Sequence, residues 1–167
     1  MKIIVFRALH WTCRIVLGGV FLYTGHIKLE SPLQFAAILS GYKLFPDSII
    51  LPLSYYFPWV EIALGILLII GWKIRCVALG ACGLLTTLIV ILAGTYFRGI
   101  DANCGCFSFD DRITPLTIAR DALIILPTLY LAAEPVLRAR LGHDHSRYRE
   151  VGIGIVIAAA IAIGFER

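Results

Sequence analysis

Four long apolar runs separated by short polar connections set the pattern of this chain. They extend from about Phe6 to Ile27, Ile49 to Gly71, Cys76 to Phe97 and Leu116 to Ala133. Each is apolar on all faces and close to the roughly 20 residues that cross about 30 Å of hydrocarbon. None alternates with the two-residue period of a barrel strand. The runs therefore predict helices, which satisfy every backbone amide within their own segment in lipid. Pro58 and Pro127 lie inside runs and predict kinks, not breaks. A last run, Val151 to Phe165, is 15 residues long. At 1.5 Å per residue it reaches roughly 22 Å, short of a comfortable crossing. It is left open between spanning, lying in the interface and packing on the bundle.

Composition agrees with that pattern, since 59% hydrophobic residues, 16% charged residues and a mean hydropathy of +0.86 exceed what a soluble domain of this size carries. The expected fold is all-α, a polytopic membrane bundle of four transmembrane helices with a fifth short C-terminal one in question. It forms a single membrane domain over residues 1–167. Lys2 and Arg7 precede the first run as in a signal peptide. Arg14 within the run and the lack of a small-x-small cleavage site read instead as a retained anchor.

Lysines and arginines near the run ends orient the chain. Lys2, Arg7, Lys73, Arg75, Arg138, Arg140, Arg147 and Arg149 fall on one side, against Lys28, Lys43, Arg98 and Arg112 on the other. The expectation is a multi-pass protein of a bacterial inner (cytoplasmic) membrane with its N-terminus cytoplasmic. The positive-inside bias accounts for the net charge of +4, and no nucleic-acid partner is called for.

That orientation places the stretch DANCGCFSFDD, residues 101 to 111, in the periplasm or an equivalent oxidising compartment, where a disulfide can form and persist. Thiol exchange needs an exposed sulfur and a second thiol to resolve the mixed disulfide. Cys104 and Cys106 offer both. Gly105 lets the backbone bend enough to close a small ring, whose departure from relaxed geometry makes it easier to reduce. The competing readings are a static staple and half of a metal site. A staple across one residue constrains little in the unfolded chain, and no second Cys pair completes a zinc site.

Several short stretches then carry a family likeness. Gly25-His26-Ile27-Lys28-Leu29 with Pro32, Gly41-Tyr42-Lys43-Leu44-Phe45-Pro46, Pro58-Trp59-Val60-Glu61 with Gly65 and Gly71, Cys104-Gly105-Cys106-Phe107 and Ala119-Arg120-Asp121 occur in that order. From about Arg14 to Glu134 the chain resembles the MauE (methylamine utilisation) branch of the DoxX-like membrane proteins. It departs in having Ser108 where the family motif usually has glycine, and in its tail after Glu134. The resemblance implies a four-helix membrane bundle in thiol redox on the periplasmic side, alongside a thioredoxin-like partner and the maturation of disulfide-rich secreted proteins.

Ionisable residues inside runs are costly enough to expect a partner or a function. Glu61 lies near the middle of the second run, and Arg120 and Asp121 near the start of the fourth. A Glu61 to Arg120 contact is expected, with Arg14 as the alternative partner of Glu61 or a residue that snorkels. His26 and Lys28 end the first run on the dithiol side, where positive charge would favour a thiolate, while Asp101, Asp110 and Asp111 would oppose it; the sign of the net shift stays open. Cys13 and Cys82 share an expected depth that permits a second pair, against the plainer reading of inert apolar thiols. Gly18, Gly25, Gly80 and Gly83 are expected to allow close helix approach. His143 and His145 read as a solvated connection.

Two functional classes follow. One is a thiol-disulfide oxidoreductase with Cys104 and Cys106 catalytic and Gly105, Glu61, Arg120, Asp121, His26, Lys28 and Arg14 supporting, with no metal. It would exchange disulfides with a thioredoxin-like partner or secreted client and pass electrons, in an open extension, to a quinone. The other is a non-catalytic membrane assembly or anchoring factor for a periplasmic redox protein.

Overall fold

The computed structural model describes residues 2–140, so His143, His145 and the run at 151–165 lie outside the described residues. Five helices follow in order: α1 (Lys2–Glu30), α2 (Pro32–Gly41), α3 (Asp47–Ile70), α4 (Ile74–Phe97) and α5 (Pro115–Arg140). The four expected spans fall on α1, α3, α4 and α5. Pro52 and Pro58 leave α3 continuous, and Pro127 leaves α5 continuous. Three stretches, Asp47–Ile70, Ile74–Phe97 and Pro115–Ala133, are long and apolar enough to cross a membrane. α1 is longer than any of them, but its polar residues lower its hydropathy, and two of its cationic residues, Arg14 and Lys28, are buried in the bundle.

The bundle is inside-out relative to a soluble protein. Arg14, Lys28, Glu61 and Asp121 are buried, while Val90, Phe97, Leu116, Leu123 and Leu126 face outward. Lipid-facing surface of this kind leaves little hydrophobic force between helices, so close backbone approach and polar contacts must hold them. α1 and α3 show both. Gly18 meets the Gly65 backbone, and Gly25 lies against Pro58 and Ile62. Partner numbers in α3 fall as those in α1 rise, so the two helices are antiparallel. A Cβ at Gly65 would stand 2.9 Å from the Gly18 carbonyl oxygen, and one at Gly25 would stand 3.0 Å from the Pro58 carbonyl oxygen. The expectation for Gly18 and Gly25 holds. It fails for Gly83, which has nothing within 4 Å of its added Cβ, and for Gly80, which meets only Leu64 at an ordinary 3.8 Å.

Arg14 neither snorkels nor reaches Glu61. Its Nε donates to the Leu68 carbonyl at 3.1 Å, one terminal nitrogen donates to the Ile69 carbonyl at 2.6 Å, and its guanidinium lies over Trp11. These carbonyls belong to the last turn of α3, whose acceptors lack intrahelical donors, so Arg14 caps that helix from its neighbour.

The helix α2 has no counterpart among the expected spans. It starts at Pro32, packs against α3 and buries Phe35, Ala36, Ile38 and Leu39. With Tyr42, Ile50, Leu92, Cys104 and Ile113 these form a core cluster at the dithiol end of the bundle. A separate cluster around Leu17, Leu68, Val77, Ala81 and Leu131 includes Cys13 at its edge.

Candidate functional site

The connection between α4 and α5 folds into a tight loop before any side-chain chemistry is considered. Asn103 and Arg112 form an antiparallel bridge, the Cys104 amide donates to the Asp111 carbonyl at 2.6 Å, and the Ile113 amide donates to the Ala102 carbonyl at 3.1 Å. Asn103 Nδ2 closes the interior by donating to the Phe109 carbonyl at 2.7 Å. The hydroxyl of Tyr42, just beyond α2, lies 2.7 Å from the Cys104 carbonyl oxygen and 3.1 Å from that of Asn103. Burial pushes the Tyr42 phenol upward, helped by Cys106, Cys104 and Asp121, so it remains a proton donor to this backbone.

Gly105 takes φ +64, the left-handed region, and its missing Cβ leaves room for Ile38, whose Cδ1 and Cγ2 would lie 3.0 and 3.2 Å away. Both features require glycine. A Gly105→Val protein is expected to lose about 1–2 kcal/mol of stability from the backbone conformation alone and to show faster Cys106 alkylation as the loop lifts from α2. An unchanged alkylation rate and melting temperature would remove glycine from the account of the loop.

Cys104 is 3% exposed, Cys106 is half-buried, and both are free thiols. Their sulfurs and a carboxylate oxygen of Asp121 all lie within 4.8 Å of one another. The Cys104 thiol points at Asp121 Oδ2 at 3.5 Å, and the Cys106 thiol lies 3.7 Å from the Cys104 carbonyl oxygen. The sign that the sequence leaves open is upward for Cys106. Its hydrogen bond with Cys104, then burial, then the nearby Cys104 and Asp121 hold the thiol well above its ordinary range, and only Lys28 pulls the other way. As metal donors the group supplies two thiolates and one carboxylate, one fewer than a closed tetrahedral zinc site takes.

Arg120 Nε donates to Asp121 Oδ1 at 3.1 Å, a terminal nitrogen reaches Asp111 Oδ2 at 3.2 Å, and the guanidinium stacks over Phe107. Arg120 therefore ties the start of α5 to the loop. The expected Glu61 to Arg120 contact does not form. Glu61 pairs with Lys28, whose Nζ lies 2.6 and 2.8 Å from its two carboxylate oxygens, with both side chains 3% exposed. Lys28 leans along α1 while Phe35 and Phe57 shelter its ammonium, each with its ring centroid 5.3 Å away. The pair and Cys106 share one pocket, lined by Lys28, Glu61, Cys106, Phe107 and Asp121 together with Val20, Phe21, Thr24, Leu85, Leu88, Ile89 and Ile124.

Of the residues singled out in the sequence, Cys104, Gly105, Cys106, Arg120, Asp121, Lys28 and Glu61 converge here. Arg14 lies toward the opposite end of α1. His26 is on the exposed side of α1, 3.3 Å from Glu30. Cys13, Cys76 and Cys82 are free thiols. The sequence reading missed Tyr42 and Ile38 as loop supports, although Tyr42 stood inside one of the stretches that carry the family likeness.

Comparisons with known proteins bear on the same region. The family model described as methylamine utilisation protein MauE matches residues 6–134. A methylamine utilization protein MauE from Methylophilus methylotrophus is 29% identical over 116 residues, which cover 65% of this chain and 60% of that relative. The matched part of the chain thus spans about 60% of the relative's length. No solved structure matches the chain.

Proposed function

This chain belongs to the MauE family, and from that membership and the geometry of its dithiol we propose that it is a membrane-embedded thiol-disulfide oxidoreductase in methylamine utilisation. It exchanges disulfides with a thioredoxin-like partner or a disulfide-rich secreted client on the periplasmic side of a bacterial inner membrane. The observation that carries the reading is the inequality of two adjacent sulfurs. Cys106 is reachable, and Cys104 is buried against a carboxylate. In the oxidised protein a partner thiolate attacks the Cys106 sulfur, the Cys104–Cys106 bond breaks, and Cys104 leaves as a thiolate. Asp121 Oδ2, 3.5 Å from that sulfur, is placed to exchange its proton. A second partner thiolate then attacks the mixed disulfide, which releases an oxidised partner and leaves both cysteines reduced.

The anchoring alternative gives the cysteines only the task of tying a loop. That loop is already tied by Tyr42, by the Asn103–Arg112 bridge and by Arg120. A link across one residue adds little to such a network.

Exchange between the oxidised Cys13→Ser/Cys76→Ser/Cys82→Ser protein in nanodiscs and a reduced thioredoxin-like domain tests the proposal. Exchange is expected to proceed in that background and to vanish when Cys104 and Cys106 are also replaced. Exchange that survives their loss, or that never occurs in the presence of both, contradicts an oxidoreductase at this pair.

A further inference from the structure

In the sequence Cys104 and Cys106 are at most half of a metal site, and the fold supplies a donor that their spacing does not announce. Asp121, 17 residues beyond Cys104, brings its Oδ2 to 3.5 Å from the Cys104 sulfur, and the three donor atoms lie within 4.8 Å of one another. A tetrahedral ion about 2.3 Å from a thiolate and about 2.0 Å from a carboxylate oxygen holds those two donors about 3.5 Å apart, and two thiolates about 3.8 Å apart. The group is therefore already spaced for an ion. It is also held in place before one arrives. Tyr42 and the Asp111 carbonyl fix the backbone of Cys104, and Arg120 donates to Oδ1 of Asp121, which leaves Oδ2 for the site. Carboxylates that bind metals keep outer partners of this kind. The cavity beside Cys106, about 30 Å³, has room for an ion with a water and for no organic ligand.

We propose that reduced Cys104 and Cys106, together with Asp121, bind one divalent thiophilic cation of the zinc type, with its fourth position open to water. The inference goes beyond the oxidoreductase reading and needs only that the thiols be reduced. Two thiolates and a carboxylate place three negative charges in a buried group. A divalent ion leaves one of them, beside the Arg120 guanidinium, whereas a monovalent ion such as Cu(I) leaves two, which cost more to bury. The carboxylate oxygen favours the same choice, because the softest cations select sulfur ligands. On binding, two S–H bonds break, two metal–sulfur bonds and one metal–oxygen bond form, and two protons pass to solvent. No electrons move. Oxidation of the pair to a disulfide removes both thiolate donors, so the site exists only in the reduced state. An ion on Cys106 also covers the sulfur that a partner reaches, so ion and partner exclude each other there.

Anaerobic equilibrium dialysis against Zn²⁺ tests the site, using the full-length Cys13→Ser/Cys76→Ser/Cys82→Ser protein in nanodiscs with the remaining pair either reduced or oxidised. The reduced form is expected to hold one more ion per chain than the oxidised form, a comparison within one sequence that no folding defect can mimic. Co²⁺ in place of Zn²⁺ should give the reduced form alone a thiolate-to-metal absorption in the near ultraviolet and the visible bands of a four-coordinate ion. Asp121→Asn is expected to weaken Zn²⁺ binding by at least about 100-fold, the upper end of what loss of an outer partner costs, because here a direct donor goes. At a Zn²⁺ concentration ten times the dissociation constant, maleimide labelling of Cys106 should slow about tenfold, since only the ion-free fraction reacts. Equal uptake by the reduced and oxidised forms, no uptake by either, or an affinity that Asp121→Asn leaves unchanged each overturns the proposal. If exchange with a thioredoxin-like domain proceeds under any of those outcomes, the oxidoreductase reading stands and only the metal site is refuted. If the reduced form alone takes up Zn²⁺ while exchange never occurs, the metal site stands and the exchange reading is the one refuted.

Discussion

Cys104→Ser and Cys106→Ser proteins are expected both to lose turnover completely and yet to differ in what they trap. Cys106 is the sulfur a partner can reach, and Cys104 is 3% exposed beneath the loop. Exchange is reversible, so without Cys104 the Cys106 thiolate still attacks the disulfide of an oxidised partner, and the mixed disulfide then has no second thiol of this chain to resolve it, so a covalent complex accumulates. Without Cys106 the remaining sulfur is shielded by Tyr42 and Asp121, and no complex is captured. Non-reducing electrophoresis of membranes, followed by mass spectrometry of any shifted band, reads the difference. Equal trapping by both variants would reverse or erase the assignment of roles. Full function in cells with either serine would make the two thiols incidental.

The second large effect concerns the Lys28–Glu61 pair. Removing one member leaves the other charged, buried and without its partner, which in protein interiors costs about 3–5 kcal/mol. Lys28→Met and Glu61→Gln are each expected to lose stability on that scale. The double replacement should lose much less than their sum, because no uncompensated charge remains. Unfolding free energies in a detergent series give the coupling through a double-mutant cycle. Strict additivity would mean that the 2.6 Å contact carries no energetic coupling. An Arg14→Met protein serves as the contrast. Arg14 binds the carbonyls of Leu68 and Ile69, so its coupling to Glu61 should be close to nil.

The elements legible in the sequence were those written in unbroken apolar length. Runs of about 20 residues can hardly be anything but membrane helices, and α3, α4 and α5 start within two residues of the expected positions. The helix α2 was illegible by the same criterion. Its ten residues are too few to span, and their burial comes from contacts with α3 and the α4–α5 loop that no local pattern announces. The dithiol was legible because two thiols one residue apart are chemistry whatever surrounds them. Its partners were less so. Lys28 and Glu61 are 33 residues apart, and Glu61 pairs with Lys28 instead of Arg120 because Lys28 lies near the end of α1, the antiparallel neighbour of α3. Arg120 found nearer carboxylates in Asp111 and Asp121. Asp121 was named as supporting, but only the fold brings it to 3.5 Å from the Cys104 sulfur.

The central claim is that Cys104 and Cys106 cycle between dithiol and disulfide, and their reduction potential tests it most directly. Equilibration of the Cys13→Ser/Cys76→Ser/Cys82→Ser protein in defined thiol-disulfide buffers, with quenching by a maleimide that adds mass, gives the oxidised fraction at each poise. The account predicts a single two-electron transition between about −270 and −120 mV, the range of thioredoxin-like exchange proteins. A midpoint below about −300 mV would mark a structural link that its compartment never reduces, and a pair that forms no disulfide at any poise would contradict the account outright.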